Sequence, residues 1–294
     1  MPLSQYAAAL DAVRGIGWPA LRRVRTTPVG PHASIVRGST AEFLEYRAYR
    51  QGDDPAKIDW KLVARTDRVY VRVSQERTIL PTMLVADASA SMAFPQTTHA
   101  KWKIASQLAI GLAAIARHRG DPVGLAVAHA DGSTIIEPRT RSTVLEEMMR
   151  ALDVTPGGTN SVADVMADAL HLGARVVLLT DFLDDDDTGL LAHAKAAVAA
   201  GREVYAIHIV DGLELDPDAK QLLVSDPELP DVRRPMPPNA RTVYKRRFAE
   251  WRDKLARDWR RAGTVYELVV PQAEPFRRTI RRITSAGEKG GASR

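Results

Sequence analysis

Short, almost wholly apolar runs recur along this chain, separated by sequence of helical pattern. Leu84–Ala86, Val123–Ala128, Val176–Leu179 and Val204–Val210 read as strands. Trp102–Arg117, Ser142–Leu152, Ser161–Leu172 and Leu190–Ala200 place apolar residues at helical spacing. A strand apolar on both faces must be covered on both faces, and helices joining parallel strands provide that cover. The pattern predicts an α/β fold with a doubly wound, mostly parallel sheet. Thr134–Ile136, after the turn Asp131-Gly132, reads as the hairpin partner of Val123–Ala128. Val265–Val270 reads as a final strand and Glu274–Ile283 as a last helix.

Two of these strands run into an aspartate. The first continues as Asp87-Ala88-Ser89-Ala90-Ser91, and the third ends at Thr180-Asp181. In an extended chain, positions two apart project the same way, so Asp87, Ser89 and Ser91 converge at the strand's carboxyl end. Ligands of doubly wound sheets sit beyond those ends, where the winding reverses. Between the two aspartates lies Gly157-Gly158-Thr159, a sharp turn that presents a hydroxyl at a helix start. Asp87, Ser89, Ser91, Thr159 and Asp181 thus offer five oxygens to a hard divalent cation, Mg²⁺ first and Mn²⁺ or Ca²⁺ as alternatives. Water and an incoming carboxylate complete its shell.

Composition removes several function classes. The chain has 294 residues, 45% of them hydrophobic, a formal charge of +5 and no cysteine. Disulfides, thiolate metal sites and cysteine nucleophiles are therefore excluded. The histidines fall in no zinc spacing, and no nucleophile elbow or phosphate-binding loop occurs. His208 reads as a core residue. A phosphatase-like, metal-dependent hydrolase would need a second aspartate two residues after Asp87. That position is Ser89, which cannot act as acid or base near neutral pH. The expected protein is non-enzymatic. No signal peptide or membrane span is read, giving a cytoplasmic expectation compatible with peripheral membrane association.

Around this core the sequence predicts an N-terminal, β-containing arm over 1–79, the sheet domain over 80–212, a C-terminal extension completing the sheet over 213–284, and a disordered tail over 285–294. Residues 1–25 read as a helix and 26–40 as a loop, with a strand at Val69–Val73. Residues 211–239, rich in Asp and Pro, read as a long connection. Asp184–Asp187 reads as a solvated loop and helix start, with a second cation site as the competing reading. Tyr244–Arg261 is a strongly basic helix. Its residues 244, 248, 251, 255 and 259 follow helical spacing, which favours a core-facing stripe over a nucleic-acid surface.

The order Asp-x-Ser-x-Ser, then Thr in a Gly-rich loop, then Asp after a later strand resembles the von Willebrand factor A fold with its metal-ion-dependent adhesion site. The resemblance implies that the hydroxyls of Ser89, Ser91 and Thr159 bind the ion, with Asp87 and Asp181 acting directly or through water. A second stretch carries a more specific likeness. Glu45-Tyr46-Arg47, Tyr49, Gly52-Asp53-Asp54-Pro55, Ile58-Asp59-Trp60-Lys61 and Ala64-Arg65-Thr66-Asp67 resemble the hallmark of the bacterial "domain of unknown function 58" family. That resemblance implies work beside a MoxR-type AAA+ ATPase in protein assembly or remodelling. The protein partner, the ATPase or its client, would supply an acidic residue. Asp53, Asp54, Asp59, Trp60 and Arg65 form a candidate docking segment. The competing reading is structural, with turn aspartates, Ile58 and Trp60 packed on the sheet, and Arg65 paired with Asp59.

Overall fold

A computed structural model of the chain describes residues 6–21, 39–159, 161–183, 187–217, 223–225, 233–235 and 240–290. The chain divides into two compact units, Pro28–Ile79 and the remainder, Met1–Thr27 with Leu80–Arg294.

In the larger unit, α1 (Ala7–Ala12) comes first, shorter than the helix expected over 1–25. In the smaller unit, β1 (Ser39–Ala48), α2 (Trp60–Thr66) and β2 (Tyr70–Thr78) follow, and the two strands pair antiparallel. The larger unit resumes with β3 (Thr82–Asp87), α3 (Ala100–His118), β4 (Val123–His129), β5 (Gly132–Arg139) and α4 (Val144–Ala151). Next come α5 (Val162–Leu172), β6 (Arg175–Thr180), α6 (Asp187–Ala199), β7 (Glu203–Ile209) and α7 (Gly212–Leu215). A small hairpin, β8 (Leu223–Ser225) with β9 (Arg233–Pro235), interrupts the expected connection. The unit closes with α8 (Ala240–Arg261), β10 (Val265–Val269) and α9 (Phe276–Gly290).

The six-stranded sheet has the order β10-β7-β6-β3-β4-β5. All its pairings are parallel except β4 with β5, the hairpin read from Asp131-Gly132. β3, β6 and β7 are buried along their whole length, as their apolar runs require. β5 forms one edge, is mostly exposed and carries Pro138. One sheet face is covered by α1, α3, α4 and α9 through Val13, Leu108, Leu112, Met148 and Ile280. The other is covered by α5, α6 and α8 through Met166, Leu190, Ala194, Leu255 and Trp259. This is the doubly wound α/β fold that the sequence predicts. The winding reverses at β3, which has β4 on one side and the later strand β6 on the other.

Residues 6–21, read with the arm, pack in the sheet unit. Trp18 is fully buried, stands over the Arg175 guanidinium at 4.2 Å and donates to Tyr205 Oη at 3.0 Å. Arg175 Nε donates to Glu203 at 2.7 Å, and the same carboxylate accepts from Leu21 N at 2.6 Å. The last helix runs to Gly290, where the sequence reads as tail from 285. Ile280, Ile283 and Thr284 are buried, and an anchored helical face propagates into the turns that follow it. Residues 22–38, Asn160, 184–186 and 291–294 lie outside the described residues. They include most of the expected 26–40 loop and most of the Asp184–Asp187 run.

Candidate functional site

The carboxyl end of β3 turns at Asp87, and the site is built from that turn. Asp87 Oδ1 accepts from Ser89 N at 2.8 Å, and Oδ2 accepts from the Thr180 hydroxyl at 2.6 Å. The Thr180 oxygen in turn accepts from Phe182 N at 3.2 Å. Ser89 Oγ and Ser91 Oγ lie 3.1 Å apart. Asp87, Ser89 and Ser91 are all buried, and Ser91 sits in a single 3-10 turn over Ala90–Ala93. Three consecutive alternate residues are thus held at one place by local hydrogen bonds.

The Gly-rich loop joins them through the backbone. Gly157 N donates to Ala88 O at 3.0 Å, and Ala90 N donates to Gly158 O at 3.0 Å. This pair of bonds clips the loop carrying Thr159 against the turn carrying Ser89. Gly158 has φ +66°, and a Cβ there would stand 2.6 Å from Ala130 Cβ, so the turn requires glycine on two counts. Thr159 itself is exposed. Asp181 follows β6, the neighbour of β3, and is buried.

Burial, followed by the charge of Asp181, pushes the Asp87 carboxyl up to about 6, against the opposing hydrogen bonds from Thr180 and Ser89. A carboxylate raised by burial and by a neighbouring charge, with hydroxyls around it, is suited to an added cation. Among the described residues no group of three or more His, Cys, Asp or Glu forms a cation cage. The residue types expected for the site, two carboxylates and three hydroxyls, suit a hard divalent ion that keeps water; direct hydrogen bonds join Asp87, Ser89 and Ser91 of that set.

Two site residues escape a motif reading. Lys101 is fully buried, and its Nζ lies 2.6 Å from Asp181 Oδ2 and 2.8 Å from Glu214 Oε1. Glu214 belongs to a capping box at α7, where Asp211 accepts from Leu213 N and Glu214 Oε2 accepts from Asp211 N at 2.7 Å. The Lys101 signal was present, since 101, 105, 108 and 112 form one helical stripe with a charge at its first position. The spacing of Asp211 and Glu214 is also a capping-box signature.

His208 is a core residue, as expected. It is buried, its Nδ1 lies 2.5 Å from Tyr266 Oη, and the rings of Phe182, Trp251 and Tyr266 meet it edge-on. On α8, Leu255 and Trp259 are buried and Trp251 packs partly against the same core. Tyr244, Phe248 and Trp251 stack along the half-buried end of that stripe.

In the smaller unit the aspartates face their own backbone. Asp53 accepts from Arg47 and from Arg50 N, both at 2.7 Å, and the Arg47 bond holds its carboxyl below the usual range. Asp54 accepts from Ala56 N at 2.9 Å. Asp59 caps α2 through Lys61 N and Leu62 N and accepts from Tyr46 Oη at 2.7 Å. The expected Arg65–Asp59 pair does not form, because caps and Tyr46 take the Asp59 oxygens and Arg65 lies on the exposed side of α2. Trp60, read as a packing residue, is 67% exposed.

Uncharacterized proteins of Mycobacterium tuberculosis and Mycobacterium bovis are 29% identical to the chain over 243 residues, covering 80% of it and 76% of each of them. Among solved structures, the von Willebrand A domain of SpRpn10 is 11% identical with a TM-score of 0.42, covering 68% of this chain and 92% of that one. Proximal thread matrix protein 1 of the mussel byssus, described with a zinc-occupied adhesion-site motif, is 16% identical with a TM-score of 0.36. It covers 45% of this chain, which spans only 38% of the mussel protein. The model of the protein family of unknown function DUF58 matches residues 45–254, most of the chain, and the protein belongs to that family.

Proposed function

We propose that the chain is a non-enzymatic, metal-dependent protein-binding module. Asp87, Ser89, Ser91, Thr159 and Asp181 hold a divalent cation, Mg²⁺ by preference, whose open position takes a carboxylate from a partner protein. The observation that carries this reading is the backbone clip between the Gly157-Gly158 loop and the Ala88–Ala90 turn, beside two aspartates on neighbouring strand ends. A donor set with more hydroxyls than carboxylates leaves the ion electron-poor, so an external carboxylate is a favourable further ligand. Ser89 stands where hydrolytic chemistry would need a second aspartate.

The partner we propose is a MoxR-type AAA+ ATPase or its client, in a cytoplasmic setting. Among the described residues no helix is long and apolar enough to cross a membrane. The test compares the native chain with Asp87→Ala as bait, with Mg²⁺ or with chelator. The expected result is recovery of the ATPase by the native chain with Mg²⁺ alone. Equal recovery in all lanes overturns the proposal.

A further inference from the structure

The ammonium of Lys101 is an unusual neighbour for a cation site. It enters from the first turn of α3, has no solvent exposure, and lies between Asp181 of the site and Glu214 of the segment leaving β7. Neither carboxylate is free to follow it. Asp181 Oδ1 also accepts from Leu183 N at 3.2 Å, and Glu214 is tied by its capping box. One ammonium thus stands between two carboxylates, at 2.6 Å and 2.8 Å. The site therefore carries a fixed positive charge of its own on one of the oxygens that a metal ion would use.

We propose that Lys101 is an internal counter-cation that competes with the divalent ion for Asp181, and that Glu214 favours the ion by drawing the ammonium the other way. Both are positioning residues that set the site's cation affinity with opposite signs. The inference rests on the metal-site reading above. Two like charges sharing one carboxylate repel strongly at short range in a buried setting. The ammonium satisfies Asp181 when no ion is bound, so a buried charge is never left uncompensated. Moving onto Glu214 alone costs the lysine only one of its two partners. A purely structural ion pair behaves differently: breaking it from either side weakens the fold and shifts cation affinity in neither direction, or downward in both cases.

The test is calorimetric titration of the full chain with Mn²⁺, for the native protein, Lys101→Met, Glu214→Gln and Asp87→Ala. Lys101→Met is expected to tighten Mn²⁺ binding by at least about tenfold, because a repelling unit charge beside the ion is removed. Glu214→Gln is expected to weaken it by about threefold or more, since Lys101 then has Asp181 as its sole carboxylate partner. Asp87→Ala is expected to abolish uptake. Unchanged affinity in both Lys101→Met and Glu214→Gln, or a shift of both in one direction, overturns the inference while leaving the metal reading intact. Absence of uptake by both the native chain and Lys101→Met overturns the two together. If Lys101→Met does not fold, Glu214→Gln decides alone, and an unchanged or tighter affinity there overturns the inference.

Discussion

Thr180 gives Asp87 a donated proton without adding a charge, which a second carboxylate in its place could not do. Hydrogen bonds to charged groups contribute roughly 1.5–3 kcal/mol. Thr180→Val is therefore expected to lower stability by about that amount in urea titrations, whereas Thr180→Ser retains most of it. His208 makes a second residue-scale prediction. Burial pushes its imidazole down to about 3, against 6.5 for the free side chain. A base depressed in the folded state contributes its full stability above 6.5 and loses it as the pH falls from there towards 3. At pH 5 the loss approaches about 2 kcal/mol. Asp87 works in the opposite sense. Its raised carboxyl favours the folded chain below 3.8, and that contribution disappears as the pH rises through 6. The informative quantity is thus the difference between His208→Phe and the native chain. Between pH 7 and pH 5 the variant is expected to lose less stability, and parallel curves would contradict the assignment.

At the scale of elements, the loop before α5 is sensitive to a single methyl at one of its two glycines and not at the other. Gly158 sits at φ +66° against Ala130, whereas a Cβ at Gly157 meets nothing within 4 Å. Gly158→Ala is expected to cost about 1–2 kcal/mol from the left-handed backbone alone. The contact with Ala130 adds to that and displaces the loop, so Mn²⁺ affinity falls with stability. Gly157→Ala is expected to leave both unchanged. The pair separates the loop's geometry from its glycine content, by thermal melting and titration on the same samples. The elements themselves were legible in sequence. Apolar runs located β3, β4, β6 and β7, and Asp-Gly located the turn before β5, because burial on both faces and turn chemistry leave local marks. The reach of Lys101 to Asp181 and Glu214 was not legible. It joins positions 80 and 113 residues apart, and only the sheet order brings them together. Trp60 is open in sequence to two readings, docking or packing on the sheet, and as the first residue of α2 it is exposed, against the packing reading.

At the scale of the molecule, residues 6–21 are structural members of the sheet unit. Trp18, Arg175, Glu203 and Tyr205 form one buried cluster joining the start of the chain to β6 and β7. The sequence reads this stretch as a helix in an N-terminal arm, and its pattern gives no sign that Trp18 reaches strands more than 150 residues further on. Trp18→Ala removes a fully buried ring and uncovers a buried guanidinium, so a loss of about 3–5 kcal/mol is expected. Limited proteolysis should then cut within residues 6–21, which the native packing protects. The residue types of the proposed cation site were legible as a pattern; the contacts of Thr180 with Asp87 and of Lys101 with Asp181 and Glu214 required the three-dimensional neighbours.

Pro138 on β5 has a consequence for association. It stands at the irregular step of the β4–β5 ladder, its nitrogen against Gly124, and a proline and a kink in an outer strand both disfavour the addition of a further strand. Growth of the sheet into a fibre-like ribbon is disfavoured along that margin, where a backbone ladder would have to cross the kink.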